Sequence, residues 1–523
     1  MLDNLAENYE DFLVLIESIN MCDYFVTLDA GTSGGKAVIG NDKGEIIGFA
    51  KTKWVHLYQI PEDLAPYGHE FNPDQFWNIL INTFKEAISS SQIDPSEIAA
   101  ISTTSQRQGC VFLDNAGKEL YAGPNRDVRG LEIDTDEYMD SDEIYDITGR
   151  GLPFLFPLAR LIWFQENEEE IYEKVKHLLT IDGWMNFRLT GQYAIDDTGA
   201  SETLLYDITK KAWSEKILEE FKIPHEILPN KMEFGELIGP ILPDVVKQIG
   251  LKAQTPVFMG CADSQASLIG CGAINQGSLG VVAGSTMPIY FVIEKPILDL
   301  EKRVWTNPFL EKWVIESNAG TAGDAHQWFV ESFLAKLGEA DPYARFEDLV
   351  KSQKPGAGGV IADIGPQIFN AQDMLRIPTG GGFVFSPLAY LMEGNLDISA
   401  FARAVVENLS FSVRANMEQI LDVAKTPLES VYVVGGLARS QVFSQILADV
   451  IQSDVHVYVP EGASVAGFIS GMIGLGRFKN VDEAVSQLIV SKTIHKPNED
   501  NQAEYDSFFS RWLEIYEKSR EDD

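Results

Sequence analysis

The first candidate for chemistry is an aspartate that ends an apolar run and precedes a turn rich in glycine and hydroxyl groups. Residues 24–48 read YFVTLDAGTSGGKAVIGNDKGEIIG. Backbone N–H groups and hydroxyls at such a turn can bind phosphate, and a nearby carboxylate can hold a metal ion. Ordinary hairpins use the same small residues, so this stretch alone leaves both interpretations open. The residues concerned are Asp29, Gly31, Thr32, Ser33 and Lys36.

This turn is not a Walker A loop, although it contains Gly34-Gly35-Lys36. The Walker pattern needs a glycine where this chain has Ala30, and a serine or threonine where it has Ala37. A Walker loop also opens a helix, whereas a second apolar strand follows here. The pattern therefore predicts a phosphate-binding turn between two strands.

Two further turns of this kind occur later, each after an apolar run. Gly284-Ser285-Thr286 offers hydroxyl groups, and Gly435-Gly436-Leu437 offers paired glycines against which a flat ring could lie. A single turn of this kind could reflect packing alone. Three of them, spread over both halves of the chain, indicate a nucleotide bound between two domains. Asp263, in Gly260-Cys261-Ala262-Asp263, is an acid at another glycine-rich turn, which taken alone is most simply a turn-forming aspartate.

The predicted elements around these turns alternate between strands and helices. Phe76, Leu80, Phe84 and Ile88 recur at helical spacing behind an Asn72-Pro73 start signal. Helical patterns also cover 157–175 and 182–190, and a hairpin is predicted at 193–207. The order of strand, small polar turn, strand and helices begins again near 256, which predicts a weak internal duplication in an α/β protein.

Composition narrows the class of protein. The 523 residues carry 78 acids against 41 bases, a formal charge of -37, which disfavours binding to nucleic acid or to an anionic membrane. The simplest interpretation of that charge is solubility or a salty cytoplasm. The four cysteines match no zinc or disulfide pattern, and the acidic N-terminus is not a secretory signal, so we expect a cytoplasmic protein.

The order of short motifs resembles the FGGY carbohydrate kinases, a branch of the sugar-kinase, heat-shock chaperone and actin superfamily. The resemblance extends from about residue 23 to 480. The matching motifs are Asp29-Ala30-Gly31-Thr32-Ser33, Ser105-Gln106-Arg107-Gln108, Asp127-Val128-Arg129, Pro157-Leu158-Ala159-Arg160-Leu161-Ile162-Trp163, Asp182-Gly183-Trp184, Asp197-Thr198-Gly199-Ala200-Ser201, Gly260-Cys261-Ala262-Asp263 and the glycine turn at 435–436.

The resemblance implies two actin-like (ribonuclease H-like) α/β domains with the active site in the cleft between them. It implies transfer of the γ-phosphate of ATP, with Mg²⁺, to a hydroxyl of a small sugar. The expected segments are an N-terminal helical extension (1–22), a sugar-binding domain (23–268), a nucleotide-binding domain (269–497) and a C-terminal helix (498–523). A homodimer is possible by the same resemblance.

The resemblance also assigns roles to individual residues. Asp263 matches the catalytic base, and Asp29 the residue that organises magnesium. The expected ATP-binding residues are Gly31, Thr32, Ser33, Lys36, Ser285, Thr286, Gly323, Gly436, Leu437 and Gln441. The expected substrate-side residues are Gln106, Arg107, Gln108, Asp127 and Gln265.

Some residues depart from the usual family pattern. Arg160 replaces a lysine, Gln108 replaces the acid of glycerol kinases, and Leu155-Phe156 is apolar where those kinases carry an aromatic hydroxyl. Arg160, the Asp127-Val128-Arg129 loop, Asp263-Ser264-Gln265 and the N-terminal extension resemble more closely the kinases of the signal autoinducer-2, a linear dihydroxypentanedione. A xylulose kinase, another pentulose, hexulose or polyol kinase, and an actin-like ATPase that phosphorylates no small molecule remain as alternatives.

Overall fold

The computed structural model describes residues 24–372, 381–386, 396–458, 461–489 and 493–521. The predicted N-terminal helix and Cys22 lie outside these ranges. The described chain forms two compact units. The first contains the described residues up to Thr148, with Pro153–Gly270 and Ala463–Ile489, and the second contains Gly149–Leu152, Cys271–Gly462 and the described residues from 493 onward. The boundary predicted at 268/269 stays a prediction, and the contacts divide the chain two residues later.

The first unit is built around a six-stranded sheet with the order β12-β13-β4-β1-β2-β3. The strands of this unit are β1 (Tyr24–Ala30), β2 (Gly34–Asn41), β3 (Ile46–Lys53), β4 (Ile98–Ser105), β5 (Cys110–Leu113), β6 (Glu119–Gly123), β7 (His177–Thr180), β8 (Ala194–Ile195), β9 (Tyr206–Asp207), β10 (Ala212–Trp213), β11 (Asn230–Lys231), β12 (Leu237–Pro240) and β13 (Pro256–Phe258). Its helices before the second unit are α1 (Pro73–Ser91), α2 (Ser141–Thr148), α3 (Pro157–Asn167), α4 (Glu169–Tyr172), α5 (Ile181–Thr190), α6 (Asp197–Ser201), α7 (Glu215–Glu220), α8 (Pro243–Ile249) and α9 (Asp263–Cys271).

Helix α1 forms where the sequence predicts it. The Asn72 side chain accepts a hydrogen bond from the Gln75 N–H, and Pro73 occupies the first turn, where its missing N–H costs nothing. Phe76, Leu80 and Phe84 are buried in the core of the unit. The apolar stripe at helical spacing therefore fixes the helix against the sheet.

The hairpin predicted at 193–207 is wrong. Strand β8 pairs in parallel with β11, and β9 pairs with β10. Between them Asp196 caps the short helix α6 by accepting hydrogen bonds from the Thr198 and Gly199 N–H groups. Aspartate is a favoured residue at a helix N-cap, because its side chain accepts hydrogen bonds from the backbone N–H groups of the first turn, and here this local signal outweighs the alternating pattern around it.

The second unit is built around a seven-stranded sheet with the order β16-β17-β15-β14-β20-β21-β22. Its strands are β14 (Ser278–Val282), β15 (Pro288–Ile293), β16 (Trp305–Phe309), β17 (Lys312–Asn318), β18 (Ile361–Asp363), β19 (Gly382–Val384), β20 (Ser430–Val434), β21 (Val455–Tyr458) and β22 (Thr493–His495). Its first helices are α10 (Ala322–Phe329), α11 (Pro342–Ser352), α12 (Ile398–Ala424) and α13 (Gln441–Ile451).

The chain then returns to the first unit before it ends in the second. Most of α14 (Gly462–Gly474) and all of α15 (Val481–Leu488) belong to the first unit, and α16 (Gln502–Glu521) is the predicted C-terminal helix. Thr27 on β1 donates its hydroxyl to the Ser464 carbonyl at 2.6 Å. A Cβ atom at Gly467 would lie 2.2 Å from the Thr27 hydroxyl oxygen, so only glycine permits this close packing.

The two sheets share one arrangement of strands, which confirms the predicted duplication at the level of topology. The start predicted near 256 is wrong, because β13 belongs to the first sheet and the second copy begins at β14. In the first unit β1 pairs antiparallel with β2 and parallel with β4, and β4 pairs parallel with β13. In the second unit β14 pairs antiparallel with β15 and parallel with β20, and β20 pairs parallel with β21. The duplication is thus visible in strand pairing where letter identity does not show it.

The described residues also bear on disulfide pairing and on membrane-spanning helices. Cys110, Cys261 and Cys271 are buried, and none of the three is in a disulfide bond with another described residue. Among the described helices, none combines the length and apolar character that crossing a membrane requires.

Candidate active site

The turn between β1 and β2 holds the first group of candidate residues. Strand pairing places Asp29 opposite Lys36, and the Lys36 Nζ lies 3.2 Å from the Asp29 Oδ2. The Gly31 N–H donates to the Gly34 carbonyl at 3.1 Å, which closes the turn. The predicted strand–turn–strand context is therefore present, and it brings a nearly buried carboxylate beside a lysine.

The carbonyl groups of this turn are directed into the protein. The Trp54 indole N–H donates to the Gly31 carbonyl at 3.1 Å, and the Tyr58 hydroxyl donates to the Thr32 carbonyl at 2.7 Å. The Trp54 backbone N–H donates to the Ser33 carbonyl at 3.1 Å. Since three carbonyl oxygens are already bound, they do not repel an anion at the exposed side of the turn, where the Ser33 side chain lies.

Asp263 lies at the same edge of this sheet. Strands β1 and β13 both pair in parallel with β4, so Asp29 at the end of β1 and Asp263 just after β13 follow the carboxyl ends of parallel strands. Such edges are where open α/β sheets bind ligands. A Cβ atom at Gly260 would lie 2.0 Å from the Thr103 carbonyl oxygen, so a glycine is needed for the loop to pass over β4.

The electrostatic environment suits Asp263 to proton transfer. Burial raises its pKa to about 7, with a further contribution from the negative charge of Asp29. The nearby Arg107 and hydrogen bonds from Ser264 act in the opposite direction. A carboxylate with a pKa near neutrality is half ionised at physiological pH and is a stronger base than an ordinary aspartate.

The segment after β4 contributes the predicted substrate-side residues. The Gln106 backbone N–H donates to the Ala30 carbonyl at 2.9 Å, and its side-chain Oε1 accepts from the Asn125 N–H at 3.1 Å. The Asn125 Nδ2 donates to the Thr32 Oγ1 at 2.9 Å. The candidate substrate segment and the candidate phosphate turn are thus joined through Asn125, a residue that sequence analysis missed.

A buried acid links the next two candidates. The Arg107 Nη1 lies 3.4 Å from the Glu202 Oε1, and the Gln108 Nε2 donates to the Glu202 Oε2 at 2.8 Å. Glu202 is only 1% exposed. The sequence does not identify Glu202 as a partner of Arg107 and Gln108, because Glu202 lies more than 90 positions away from them and belongs to none of the motifs quoted above.

Asp127 is completely buried. Its carboxylate accepts hydrogen bonds from the Tyr121 hydroxyl at 2.5 Å and from the Arg129 Nε at 2.9 and 3.1 Å. The substrate-side role of Asp127 stays a prediction. The contacts show that the carboxylate pairs with Arg129 inside the protein.

Arg160 connects the backbone of three loops. Its Nε donates to the Asp127 carbonyl at 3.0 Å, its Nη1 to the Gln108 carbonyl at 2.7 Å and its Nη2 to the Leu155 carbonyl at 3.3 Å. Gln108 has a positive φ of 59°, an uncommon conformation for a residue with a side chain. The arginine that departs from the family pattern therefore holds a strained residue in place.

Gln265 is fully buried, and neither its Oε1 nor its Nε2 has a hydrogen-bond partner among the described residues. It lies two residues after Asp263 on α9. An unsatisfied buried amide costs about 1–3 kcal/mol for each group, so this side chain is ready to accept a polar partner.

The second unit brings its own candidates together. Ser285 and Thr286 are exposed at the turn after β14. The Gly323 N–H donates to the Ser285 carbonyl at 3.1 Å, and a Cβ atom at Gly323 would lie 1.9 Å from the Gly284 carbonyl oxygen. Gly323 is therefore required for the start of α10 to lie against this turn.

The paired glycines after β20 lie beside the same turn. The Leu437 N–H donates to the Ala283 carbonyl at 3.1 Å, and Gly435 has a positive φ of 106°. A Cβ atom at Gly436 would meet nothing within 4 Å, which leaves open space against the backbone. Gln441 is exposed at the first position of α13.

Comparison with known proteins agrees with this arrangement. Residues 24–270 match the N-terminal domain of the FGGY family of carbohydrate kinases, and residues 280–476 match the C-terminal domain. The chain is 29% identical over 519 residues to the autoinducer-2 kinase of Salmonella typhimurium, covering 95% of this chain and 94% of that protein. It is 28% identical over 512 residues to the Escherichia coli K12 autoinducer-2 kinase, covering 94% of each.

Solved structures share the fold. The xylulose kinase of Lactobacillus acidophilus superposes with a TM-score of 0.81 at 22% identity, covering 95% of this chain and 98% of that one. The Plasmodium falciparum glycerol kinase with ADP gives 0.79 at 20% identity, with the same coverages. These matches confirm the predicted α/β class with two domains. Since the two family models together span well over half of its length, this chain belongs to the FGGY family of carbohydrate kinases and is a phosphotransferase.

Proposed function

We propose that this protein transfers the γ-phosphate of ATP to a hydroxyl of a small, linear, sugar-like substrate of the autoinducer-2 type, with Asp263 as the base. The observation that carries this proposal is the position and environment of Asp263. It follows a parallel strand at the sheet edge that also carries Asp29, and its pKa is about 7. The similarity to autoinducer-2 kinases along nearly the whole chain supports the substrate class.

The base is needed because a sugar hydroxyl hardly ionises in water at neutral pH. The Asp263 carboxylate takes the hydroxyl proton as the substrate oxygen forms its bond to phosphorus. The bond between that phosphorus and the bridging oxygen breaks, and ADP leaves with the electron pair. Arg107, close enough to affect the Asp263 pKa, favours the ionised state that accepts the proton.

The residues present fit a nucleotide with its magnesium ion. Ser33, Ser285 and Thr286 have exposed positions suited to phosphate oxygens, and the open space at Gly436 suits the flat base. Asp29 would hold Mg²⁺ through water, since this ion retains several water ligands. Bound magnesium supplies positive charge that offsets the charge of the transferred phosphoryl group.

The substrate-side groups fit a compound rich in hydroxyls and carbonyls. Arg107 donates hydrogen bonds only, whereas Gln108 and Gln265 can both donate and accept. A dihydroxypentanedione presents carbonyl acceptors to the arginine and hydroxyls to the amides. We expect the hydrogen bond between the substrate and Gln265 to contribute most to binding, because the buried Gln265 amide has no other partner among the described residues.

ADP release with Mg²⁺-ATP across a substrate panel tests this proposal. The panel contains the autoinducer-2 precursor, xylulose, ribulose, fuculose, rhamnulose, glycerol, erythritol and gluconate, and each compound is run with wild type and Asp263→Asn. We expect the autoinducer-2 precursor to give the highest turnover and the variant to lose roughly 10²–10⁴-fold. Asp207→Asn is the matched control, because Asp207 accepts hydrogen bonds from the Thr209 and Lys210 N–H groups in a separate turn of the same unit.

Different results would correct different parts of the proposal. Asp263-dependent turnover of a pentulose or polyol would keep the reaction and replace the substrate. Near-normal turnover in Asp263→Asn would remove Asp263 from its role. ATP hydrolysis that no compound increases would favour an actin-like ATPase.

A further inference from the structure

One peptide group next to the proposed base is held at both of its polar atoms. The peptide that joins Cys261 to Ala262 has its carbonyl oxygen on one side and its N–H on the other. The Thr104 hydroxyl donates to the Cys261 carbonyl at 2.7 Å. The Ala262 N–H donates to the Thr198 Oγ1 at 2.8 Å. Two threonines from distant parts of the chain therefore fix the plane of this peptide, immediately before Asp263.

The direction of the hydrogen bonds on the Thr198 side is determined. A backbone N–H can only donate, so the Thr198 oxygen accepts from Ala262 and its own proton goes elsewhere. The Thr198 hydroxyl donates that proton to the Asp196 Oδ2 at 2.7 Å. Asp196 is itself fixed as the cap of α6, where it accepts from the Gly199 N–H at 2.9 Å. Asp196 thus orients Thr198, and Thr198 orients the peptide.

These groups are shielded from water, which strengthens their hydrogen bonds. Thr104 is 1% exposed and Thr198 is 3% exposed. Water therefore cannot readily replace either hydroxyl if it is removed. A peptide that loses one of these partners would rotate or shift to find another, and the neighbouring Asp263 would move with it.

We infer that Thr104 and Thr198 are positioning residues that hold the proposed base, Asp263, in its reactive orientation. This inference rests on the proposed function. Neither threonine needs to touch the substrate. Each acts through the peptide before Asp263, so its loss should reduce the rate of the chemical step more than it weakens substrate binding, since a small misplacement of a reacting group is costly.

The test compares Thr198→Val with Thr198→Ser in the full-length protein, using the best substrate from the panel. Valine keeps the shape of threonine without the hydroxyl. We expect Thr198→Val to lower kcat by about 10–100-fold while the substrate KM changes less than about threefold. Serine restores the hydroxyl, so Thr198→Ser should recover most of kcat.

Thr190→Val is the matched control. The buried Thr190 hydroxyl also makes one bond in each direction, donating to the Asn186 carbonyl at 2.7 Å and accepting from the Gln192 N–H at 3.1 Å. It lies at the end of α5 and does not contact the peptide before Asp263. We expect this variant to lose a similar amount of thermal stability while kcat stays within about twofold of wild type.

The outcomes separate the inference from the function on which it depends. An unchanged kcat in Thr198→Val, or equal losses in Thr198→Val and Thr190→Val, overturns the positioning role. A wild type without kinase activity, or an active Asp263→Asn, overturns the proposed function instead. If Thr198→Val does not fold, Thr104→Val removes the bond on the other side of the same peptide and decides by the same criteria, with Thr104→Ser as its rescue.

Discussion

The raised pKa of Asp263 predicts a specific dependence of activity on pH. The carboxyl group accepts a proton only when ionised, and its pKa is about 7 because of burial and the charge of Asp29. We expect kcat/KM to rise with pH and to level off above about 7, with an acidic limb well above the usual aspartate range. A pH–rate profile spanning about two units on either side of 7 measures this.

Arg107 supplies an internal control for that profile, because its positive charge lowers the Asp263 pKa. In Arg107→Gln the acidic limb should move to higher pH, whatever happens to the absolute rate. A limb that stays in place, or a wild-type profile that remains flat down to about pH 5, would contradict the assignment of the base.

The same shift predicts that Asp263 reduces stability. A carboxyl whose folded-state pKa is raised binds a proton in the folded state between its ordinary pKa of 3.8 and about 7, where the unfolded chain has released it. Its contribution to stability is therefore lost as the pH rises through this window. We expect Asp263→Asn to melt at least about 2 °C above wild type at pH 8, with the difference shrinking as the pH falls towards 5. A variant that melts below wild type at pH 8 would contradict the burial cost.

Some residues of the candidate site could be predicted from the sequence, and others could not. Asp263 and Asp29 could be found because they stand in short motifs beside glycines. The roles of Glu202, Thr198 and Asn125 could not be assigned, because they depend on partners far away in the chain. Such contacts exist only once the sheet and its loops have come together.

At the scale of elements, the contact between α10 and the turn after β14 predicts an effect on nucleotide binding. A Cβ atom at Gly323 would overlap the Gly284 carbonyl oxygen at 1.9 Å, so Gly323→Ala must displace the turn that carries Ser285 and Thr286. We expect the KM for ATP to rise about fivefold or more and the substrate KM to change little. Gly382→Ala is the control, because its Cβ atom would meet nothing within 4 Å. Equal KM values for ATP in the two variants would contradict the prediction.

The three loops joined by Arg160 predict an effect on the substrate instead. Lysine has a single terminal nitrogen and cannot reach the Gln108, Asp127 and Leu155 carbonyls together. We expect Arg160→Lys to lower kcat/KM for the substrate about 10–100-fold and to leave the KM for ATP nearly unchanged.

Arg188→Lys is the control for Arg160→Lys. The Arg188 side chain is partly exposed and pairs with Asp74 and Glu119. It should retain normal kinetics, because neither Asp74 nor Glu119 is a candidate site residue. Equal kinetics in the two lysine variants would show that Arg160 does not order the loops.

Helices and strands could be predicted where the residues that define them lie close together in the chain. Helix α1 could be predicted because its cap, its proline and its apolar stripe all lie within 19 residues. The hairpin prediction for 193–207 fails because β8 pairs with the distant β11, whereas β9 pairs with β10, the strand that follows it directly in the chain. An alternating polar and apolar pattern predicts a strand but does not identify the strand with which it pairs.

At the scale of the whole molecule, the charge of -37 predicts a dependence of stability on salt. Like charges on a folded surface repel each other, and the screening length falls to about 10 Å at 0.1 M salt. We expect the melting temperature to rise by a few degrees between about 0.02 and 0.2 M sodium chloride. The increase should be the same in potassium chloride, which separates screening from binding of one cation. A melting temperature that does not change with salt would contradict this prediction.

The duplicated topology was predictable only in outline. The repeated order of strand, turn and strand could be read from the sequence, but the parallel pairing of β1 with β4 and of β14 with β20 could not. The sequence also did not predict that α14 belongs to the first unit, because its pattern of small residues does not identify Thr27 as a contact.

This return imposes an order on biosynthesis. Thr27 and Ser464 are 437 positions apart, and the close contact between β1 and α14 cannot form until the second of them leaves the ribosome. At about 5–20 residues per second, this delay is roughly 20–90 s. During that time the sheet face that receives α14 is uncovered, and an apolar surface exposed in this way is prone to aggregation.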